Sequence, residues 1–380
     1  MKFHTRIFLI SLLAAQLISA QISLIEQEPP GKVVAYSDAK SGIFIGSPSL
    51  LILPNGNYLA SHDFFGKSLS QGITHIYKST DQGNSWEKIA ELKNQFWSNL
   101  FKLGDMVYLM GTTKEYGAVV IRKSTDFGYT WTTPRDKSTG ILLNDGEYHT
   151  APVPVVINNG RIWRSMEDRN PPTDWGKNFR AFVMSAPIKS DLLNAENWEC
   201  TNRLRYDPKW SGSAWLEGNV VETPKGYLWN ILRNHTKTGE KAAVTKVGLT
   251  GKVLTFDPNS GFIDFPGGSV KFTIRFDSVS NKYYSITNHI PSEYNNGNPE
   301  RTRNTLALTV SDDLINWCVD SIILQSEDVE SIGFQYVDFR FEGDDIIFLS
   351  RTAYYQNDGH KTNQHDSNYL TFHRLKDFRK

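Results

Sequence analysis

Cysteine is scarce in this 380-residue chain, which has only Cys200 and Cys318. Two thiols make neither a disulfide framework nor a cysteine-based zinc cluster, and no pairing between them is inferred. A surplus of one charge is lacking too, since 41 Lys+Arg stand against 41 Asp+Glu. Nucleic-acid binders carry a basic surplus that replaces released counterions, so the balance argues against that class and against attraction to anionic membranes. Apart from a short N-terminal run, no apolar stretch approaches the ~20 residues that span a bilayer, and membrane insertion is not expected. Phosphate loops, dinucleotide fingerprints and serine elbows are missing. His360, His365 and Asp366 fit no zinc spacing and read as part of a polar loop over 356–367. Neither a metal nor a cofactor is expected.

Aromatic residues, by contrast, are plentiful: 21 Phe, 16 Tyr and 10 Trp, beside 28 Gly and a hydrophobic fraction of 39%. That fraction sustains a packed core and rules out disorder over most of the length. The mixture suggests many short strands and turns with aromatic-lined surfaces, a common dress for sugar-handling proteins. At the N-terminus, Lys2 and Arg6 precede an apolar run over 7–17 that ends in Ile18-Ser19-Ala20. A charged start, a short apolar core and a small residue at the cut make a secretory signal peptide over 1–20. The mature protein, 21–380, is then expected to be secreted or periplasmic.

The body of the chain repeats. Lys78-Ser79-Thr80-Asp81-Gln82-Gly83-Asn84-Ser85-Trp86 recurs as Lys123-Ser124-Thr125-Asp126-Phe127-Gly128-Tyr129-Thr130-Trp131, and both read S-x-D-x-G-x-x-W. A worn copy is Ser311-Asp312-Asp313-Leu314-Ile315-Asn316-Trp317, and a looser one runs from Ser190-Asp191-Leu192 to Asn197-Trp198. In such a turn Asp accepts backbone N–H bonds, Gly supplies a positive φ, and Trp covers the apolar edge between sheets. These turns are structural and are expected to lie away from any active site. A second device sets a glycine between two apolar runs, at Asn55-Gly56, Asn159-Gly160, Lys225-Gly226 and Gly343-Asp344, and each reads strand–turn–strand. Hairpins alternating through one undivided domain predict an all-β fold of radial sheets, a six-bladed β-propeller, with five or seven blades as alternatives. The last strand, over 369–373, is expected to complete the first blade.

The S-x-D-x-G-x-x-W turn resembles the Asp-box, or BNR repeat, of the sialidase (neuraminidase) superfamily, which is built on a six-bladed propeller. Four further segments fall in that family's order. Gly46-Ser47-Pro48-Ser49-Leu50 looks like its first-blade segment, and Leu216-Glu217-Gly218-Asn219 with Arg233 resembles the blade of its helper glutamate and second arginine. Arg303-Asn304-Thr305-Leu306 resembles the third-arginine segment, and Gln335-Tyr336-Val337-Asp338-Phe339 the segment of the tyrosine nucleophile. In that family three arginines clamp a substrate carboxylate with planar forks. A tyrosine, relieved of its proton by a glutamate, attacks the anomeric carbon while an aspartate protonates the leaving oxygen.

By this resemblance Tyr336 is the nucleophile, Glu217 its base, and Arg233 and Arg303 two arms of the clamp. The departure is Gly46, which stands where the family has its first arginine. Ser61-His62-Asp63 occupies the region of the acid, so Asp63 is the candidate acid, or His62 and Asp63 together bind a different sugar. One motif lies outside the resemblance: Tyr148-His149 precedes a strand, and Arg161, Arg164, Glu167 and Arg169 follow it. His149 there is a candidate acid/base or hydroxyl binder, and Arg164 with its neighbours favours an anionic substrate.

Three functions remain. The leading one is an exported sialidase-like exo-glycoside hydrolase acting on a terminal acidic sugar, or on one other than sialic acid. The second is a propeller-type lyase of uronate-containing polysaccharide, in which arginine neutralises the carboxylate while His149 or a tyrosine moves protons. The third is a non-catalytic propeller that binds glycan. A glycan is the expected partner and a monomer the expected state. Convergence of Glu217, Arg233, Arg303 and Tyr336 on one cavity favours the hydrolase. An open groove with His149 and no Tyr–Glu contact favours the lyase.

Overall fold

Six antiparallel sheets account for nearly all regular structure in the computed structural model, which describes residues 28–67, 69–169, 175–210, 212–236, 239–356, 360 and 362–380. The signal peptide expected over 1–20 lies outside the described residues. Among the described residues only four short 3-10 turns interrupt the strands, and no helix is long and apolar enough to cross a membrane.

The first sheet runs outward from Ile43–Ile45 and Ser49–Ile52 through Tyr58–Gly66 and Ile73–Ser79 to Glu87–Lys93. The second holds Phe96–Leu103, Met106–Thr112, Val119–Ser124 and Ile141–Leu143. In the third, Glu147–His149 and Val156–Asn158 lie innermost, followed by Arg161–Arg169 and Phe179–Pro187. The fourth begins at Ala214–Glu222, the fifth at Thr273–Asp277 and the sixth at Gly333–Glu342. Inner strands touch their neighbours from the third sheet through to the sixth, and that of the sixth sheet meets that of the first, which in turn meets that of the second. The result is a six-bladed β-propeller.

Closure differs from the expectation. Tyr369–Leu375 is the third strand of the sixth blade, and the N-terminal strand Lys32–Tyr36 pairs with it as the fourth, with Tyr36 opposite Tyr369. The chain's two ends are thus stapled in one sheet, which leaves no unpaired seam between first and last blades.

Adjacent blades pack through apolar clusters, and the repeated turns take part. In the two sharp copies Ser79 and Ser124 receive the backbone N–H of Gly83 (2.8 Å) and Gly128 (2.9 Å), while Asp81 and Asp126 accept from residues four further on. The indole N–H of Trp86 and of Trp131 returns to the carbonyl of the turn glycine. Each ring then packs on the preceding blade: Trp86 on Phe372 of the sixth, Trp131 in the cluster around Leu59 of the first. Trp198 and Trp317 do the same in the worn copies, bonding Leu192 and Leu314 and packing on the second and fourth blades. Glycine is required at 83 because its φ is +87° and an added Cβ would overlap the Phe372 ring.

A second regularity sits on the axis. The inner strands of the second, fourth and sixth blades each carry a β-bulge, with Trp97, Glu217 and Tyr336 at φ of +47°, +56° and +57°. A bulge turns one side chain out of the alternating pattern, here toward the mouth of the axial channel. Two residues beyond each bulge a buried polar side chain ties the strand to another blade. Asn99 donates to Ser49 Oγ (3.0 Å), Asn219 accepts from Ile274 N–H (3.0 Å), and Asp338 accepts from Ser49 Oγ (3.0 Å) and Leu50 N–H (2.9 Å). Asp338 also receives Arg275 (2.8 Å) and Arg340 (2.9 Å), so its buried charge is fully engaged, the condition under which burial is tolerated.

Candidate active site

The bulges open into a cavity of about 1120 Å³ at one end of the axis, to which every blade contributes. Asp63 comes from the first, Trp97 from the second, His149 from the third, Glu217 from the fourth, Arg303 from the fifth and Tyr336 from the sixth.

At the centre Tyr336 Oη donates to Glu217 Oε1 at 2.7 Å. The other carboxylate oxygen of Glu217 accepts from Arg233 Nη1 at 3.0 Å, and Arg233 is anchored by Ser269 O at 2.8 Å. Burial alone would push the Glu217 carboxyl up, but Arg233, His149 and the Tyr336 hydroxyl together hold it below the ordinary carboxylate range. The Tyr336 phenol is pushed up by burial and by the Glu217 charge. The pair therefore rests as neutral phenol against carboxylate, an arrangement in which a phenol can pass its proton to a carboxylate. Both residues hold left-handed backbone, a conformation that persists only where surrounding structure enforces it.

Asp63 is the second carboxyl group. It is buried, accepts from Ser47 N–H at 2.7 Å, and takes a short bond from the N–H of Trp97, the bulge residue of the second blade. Burial raises it to about 6, with the two N–H donors and Arg351 resisting. A carboxyl group tuned upward beside one held down is the arrangement that separates acid from base.

Arginines form the opposite wall. Arg303 donates to Glu300 O at 2.9 Å and to the Gln335 side chain, and Arg351 donates to His365 O at 2.7 Å. Both lie near the Tyr336 ring, at 6.0 Å and 4.6 Å from its centroid. Among the described residues neither has a carboxylate within ion-pair distance, and Arg351 Nε has no partner. Burial, reinforced by the Arg233 and Arg351 charges, lowers Arg303 to about 9. Guanidinium stays protonated at neutral pH, so two buried cations face the cavity with no direct ion-pair partner among the described residues, Arg351 being balanced only through space by Asp366, Asp63 and Glu217.

His149 lines the same cavity, with Nδ1 on Glu167 Oε2 at 2.9 Å and its ring 4.4 Å from that of Trp97. Six of the residues singled out in the sequence thus converge: Tyr336, Glu217, Asp63, His149, Arg233 and Arg303. Two do not. His62 neighbours Asp63 on a strand and so points to the other face, stacking on Tyr77 and bonding its hydroxyl at 3.2 Å; burial lowers it to about 3. Arg164 is wholly buried, donating to the carbonyls of Val153 (3.3 Å) and Ala151 (3.1 Å), and is a structural tie of the third blade. Among the described residues no cluster of His, Cys, Asp or Glu could hold a metal ion, and Cys200 and Cys318 are free.

Arg351, Trp97 and Glu300 were not singled out in the sequence. For Arg351 a signal existed: Leu-Trp-Asn-Ile-Leu-Arg over 228–233 and Ile-Ile-Phe-Leu-Ser-Arg over 346–351 both end an apolar run in arginine. Arg233 pairs with Leu216 and Arg351 with Gln335, each the residue before a bulge, so the two are equivalent positions of alternate blades.

No protein-family model matches the chain, and no curated protein matches it by sequence. Solved structures do. A Penicillium chrysogenum α-L-arabinanase complexed with arabinobiose aligns at 14% identity and TM-score 0.57, over 92% of this chain and 97% of that one. A Fusarium graminearum α-L-arabinofuranosidase aligns at 12% and 0.58, over 93% and 99%. Trypanosoma rangeli sialidase aligns at 14% and 0.56, over 92% of this chain but 58% of its own. What the chain shares with these proteins is the fold, a six-bladed β-propeller.

Proposed function

We propose that this protein is an exported, retaining exo-glycoside hydrolase that removes a terminal acidic sugar from a glycan. The observation that carries the proposal is the 2.7 Å contact of Tyr336 with Glu217, set in a cavity beside Arg303 and Arg351, neither of which has a direct ion-pair partner among the described residues. A neutral phenol suits an anionic sugar, because a carboxylate nucleophile would face the substrate carboxylate with like charge.

In the first step Tyr336 Oη bonds to the anomeric carbon as Glu217 takes the phenolic proton and Asp63 protonates the departing glycosidic oxygen. In the second, the Asp63 carboxylate takes a proton from water. The resulting hydroxide displaces the Tyr336 phenolate, which recovers its proton from Glu217. Two displacements retain the anomeric configuration. Arg303 and Arg351, with Arg233, hold the sugar carboxylate by charge-assisted hydrogen bonds. The Tyr–Glu contact and the shared cavity favour hydrolysis over elimination. Cleavage after Ala20, export and a monomeric state belong to the same proposal.

The test is a panel of acidic glycans, with arabino-oligosaccharides included because an arabinanase is among the proteins of like fold. Reducing ends and absorbance near 235 nm are read in parallel. New reducing ends without absorbance, lost in Tyr336→Phe, support the proposal. Absorbance rising with the cuts overturns it in favour of a lyase, and cleavage of arabinan alone overturns the acidic substrate.

A further inference from the structure

Lys271 is a buried cation that the proposed chemistry does not use. It is 2% exposed and precedes the inner strand Thr273–Asp277 of the fifth blade. Its Nζ donates to Thr273 Oγ1 and to Val337 O, each at 2.7 Å. Thr273 Oγ1 donates to the same Val337 carbonyl at 2.7 Å. Val337 follows Tyr336 inside the bulge that sets the tyrosine's left-handed backbone. The Val337 carbonyl is thus clamped twice from the fifth blade, once by a neutral donor and once by a charged one.

A hydroxyl alone would satisfy that carbonyl. A buried lysine is a costly way to add a second bond, since an ammonium loses its hydration on burial. The charged groups that face it are Glu217 from the fourth blade, Asp338 from the sixth and Arg275 from the fifth. Burial lowers the Lys271 amine to about 8, with Asp338 and Glu217 pulling it back up. It is therefore an ammonium at neutral pH. Asp338 is already engaged by Arg275 and Arg340, whereas Glu217 has Arg233 as its single ion-pair partner among the described residues.

We infer that Lys271 is a positioning residue for the Tyr336–Glu217 pair, holding the Tyr336 bulge through Val337 O and setting a positive charge near Glu217. The inference rests on the hydrolase reading for its consequence in turnover, but its physical content can be measured without turnover.

Carboxyl-13C glutamate is incorporated, the Glu217 resonance is assigned by its loss in Glu217→Gln, and its titration is followed by NMR. In Lys271→Met the midpoint moves to higher pH, because a nearby positive charge has gone. In Thr273→Val, which removes the hydroxyl clamp and one acceptor of Lys271 but keeps the charge, it moves less. Where Lys271→Met does not fold, Lys271→Gln is measured in its place. With the 4-methylumbelliferyl glycoside of the acidic sugar cleaved in the panel, kcat falls about 10-fold with KM changed less than about 3-fold. An unmoved midpoint in the Lys271 variants, or an equal shift in Thr273→Val, overturns the inference. Failure of the wild type to cleave any panel member sinks the hydrolase reading alone, and the NMR midpoint still decides the role of Lys271.

Discussion

Replacing Gly46 by alanine tests why the first-blade arginine of the sialidases has no counterpart at this position. Gly46 N–H donates to Asp63 O at 2.7 Å and Ser47 N–H to Asp63 Oδ1 at 2.7 Å, so the Asp63 carboxyl is folded back over Gly46. A Cβ there would fall inside the van der Waals envelope of Asp63 Oδ1 and within 3.0 Å of the Asp63 carbonyl oxygen. No side chain, arginine included, fits beside Asp63 as it stands. Overpacking of this kind costs about 1–3 kcal/mol of stability. Displacing a proton donor by ~1 Å costs roughly 100-fold in rate, or about 2.7 kcal/mol on the barrier. The assay compares two substrates of the same sugar, a methyl glycoside, whose leaving group needs a proton, and a glycosyl fluoride, whose leaving group needs none. Gly46→Ala should lose about 100-fold in kcat/KM on the first and less than about 3-fold on the second. Equal losses on both would place the damage in sugar binding, and no loss on either would refute the geometric argument.

Removing the opposite wall gives a different signature. Arg351→Met should lower kcat/KM on the acidic sugar about 10- to 100-fold, the worth of a charge-assisted contact of about 1.5–3 kcal/mol. The analogue with hydroxymethyl in place of carboxylate should change only a few-fold, as product release from both substrates will report. Burial favours the protonated form of Asp63, so the acid survives up to about pH 6 and is lost above it. The methyl glycoside profile should therefore fall above about pH 6 and the fluoride profile should not. Glu217, held below the ordinary range, should keep the acid limb of both profiles below that range. Far from the cavity, Ser124→Ala removes a buried hydroxyl that accepts from Gly128 N–H and donates to Asp126 (2.8 Å). Chemical denaturation should show a loss of about 1–2 kcal/mol with kcat/KM unchanged.

The fold was legible because its punctuation is local. Each S-x-D-x-G-x-x-W turn closes its own hydrogen bonds within eight residues, so a short window of sequence holds the whole device. Closure by Lys32–Tyr36 was not legible, because pairing Tyr36 with Tyr369 is a contact across the full chain with no local mark. The candidate site followed the same rule. Tyr336 and Glu217 stand in segments that keep the order of a known family, whereas the bulges that present them are visible only in the strand register. His62 and Arg164 were misplaced for want of a face assignment: one residue along a strand reverses a side chain, which separates His62 from Asp63. Arg351 lies outside the segments that carry the resemblance, and its mark in the sequence is the apolar run ending in arginine that it shares with Arg233.

The central claim is that Tyr336 forms a bond to sugar. A glycosyl fluoride of the cleaved acidic sugar, carrying a second fluorine beside the anomeric carbon to slow the second step, is incubated with the protein and the digest is read by mass spectrometry. The account predicts one added glycosyl mass on the peptide containing Tyr336, absent in Tyr336→Phe. A label on Glu217, or turnover with no label on any residue, would contradict it.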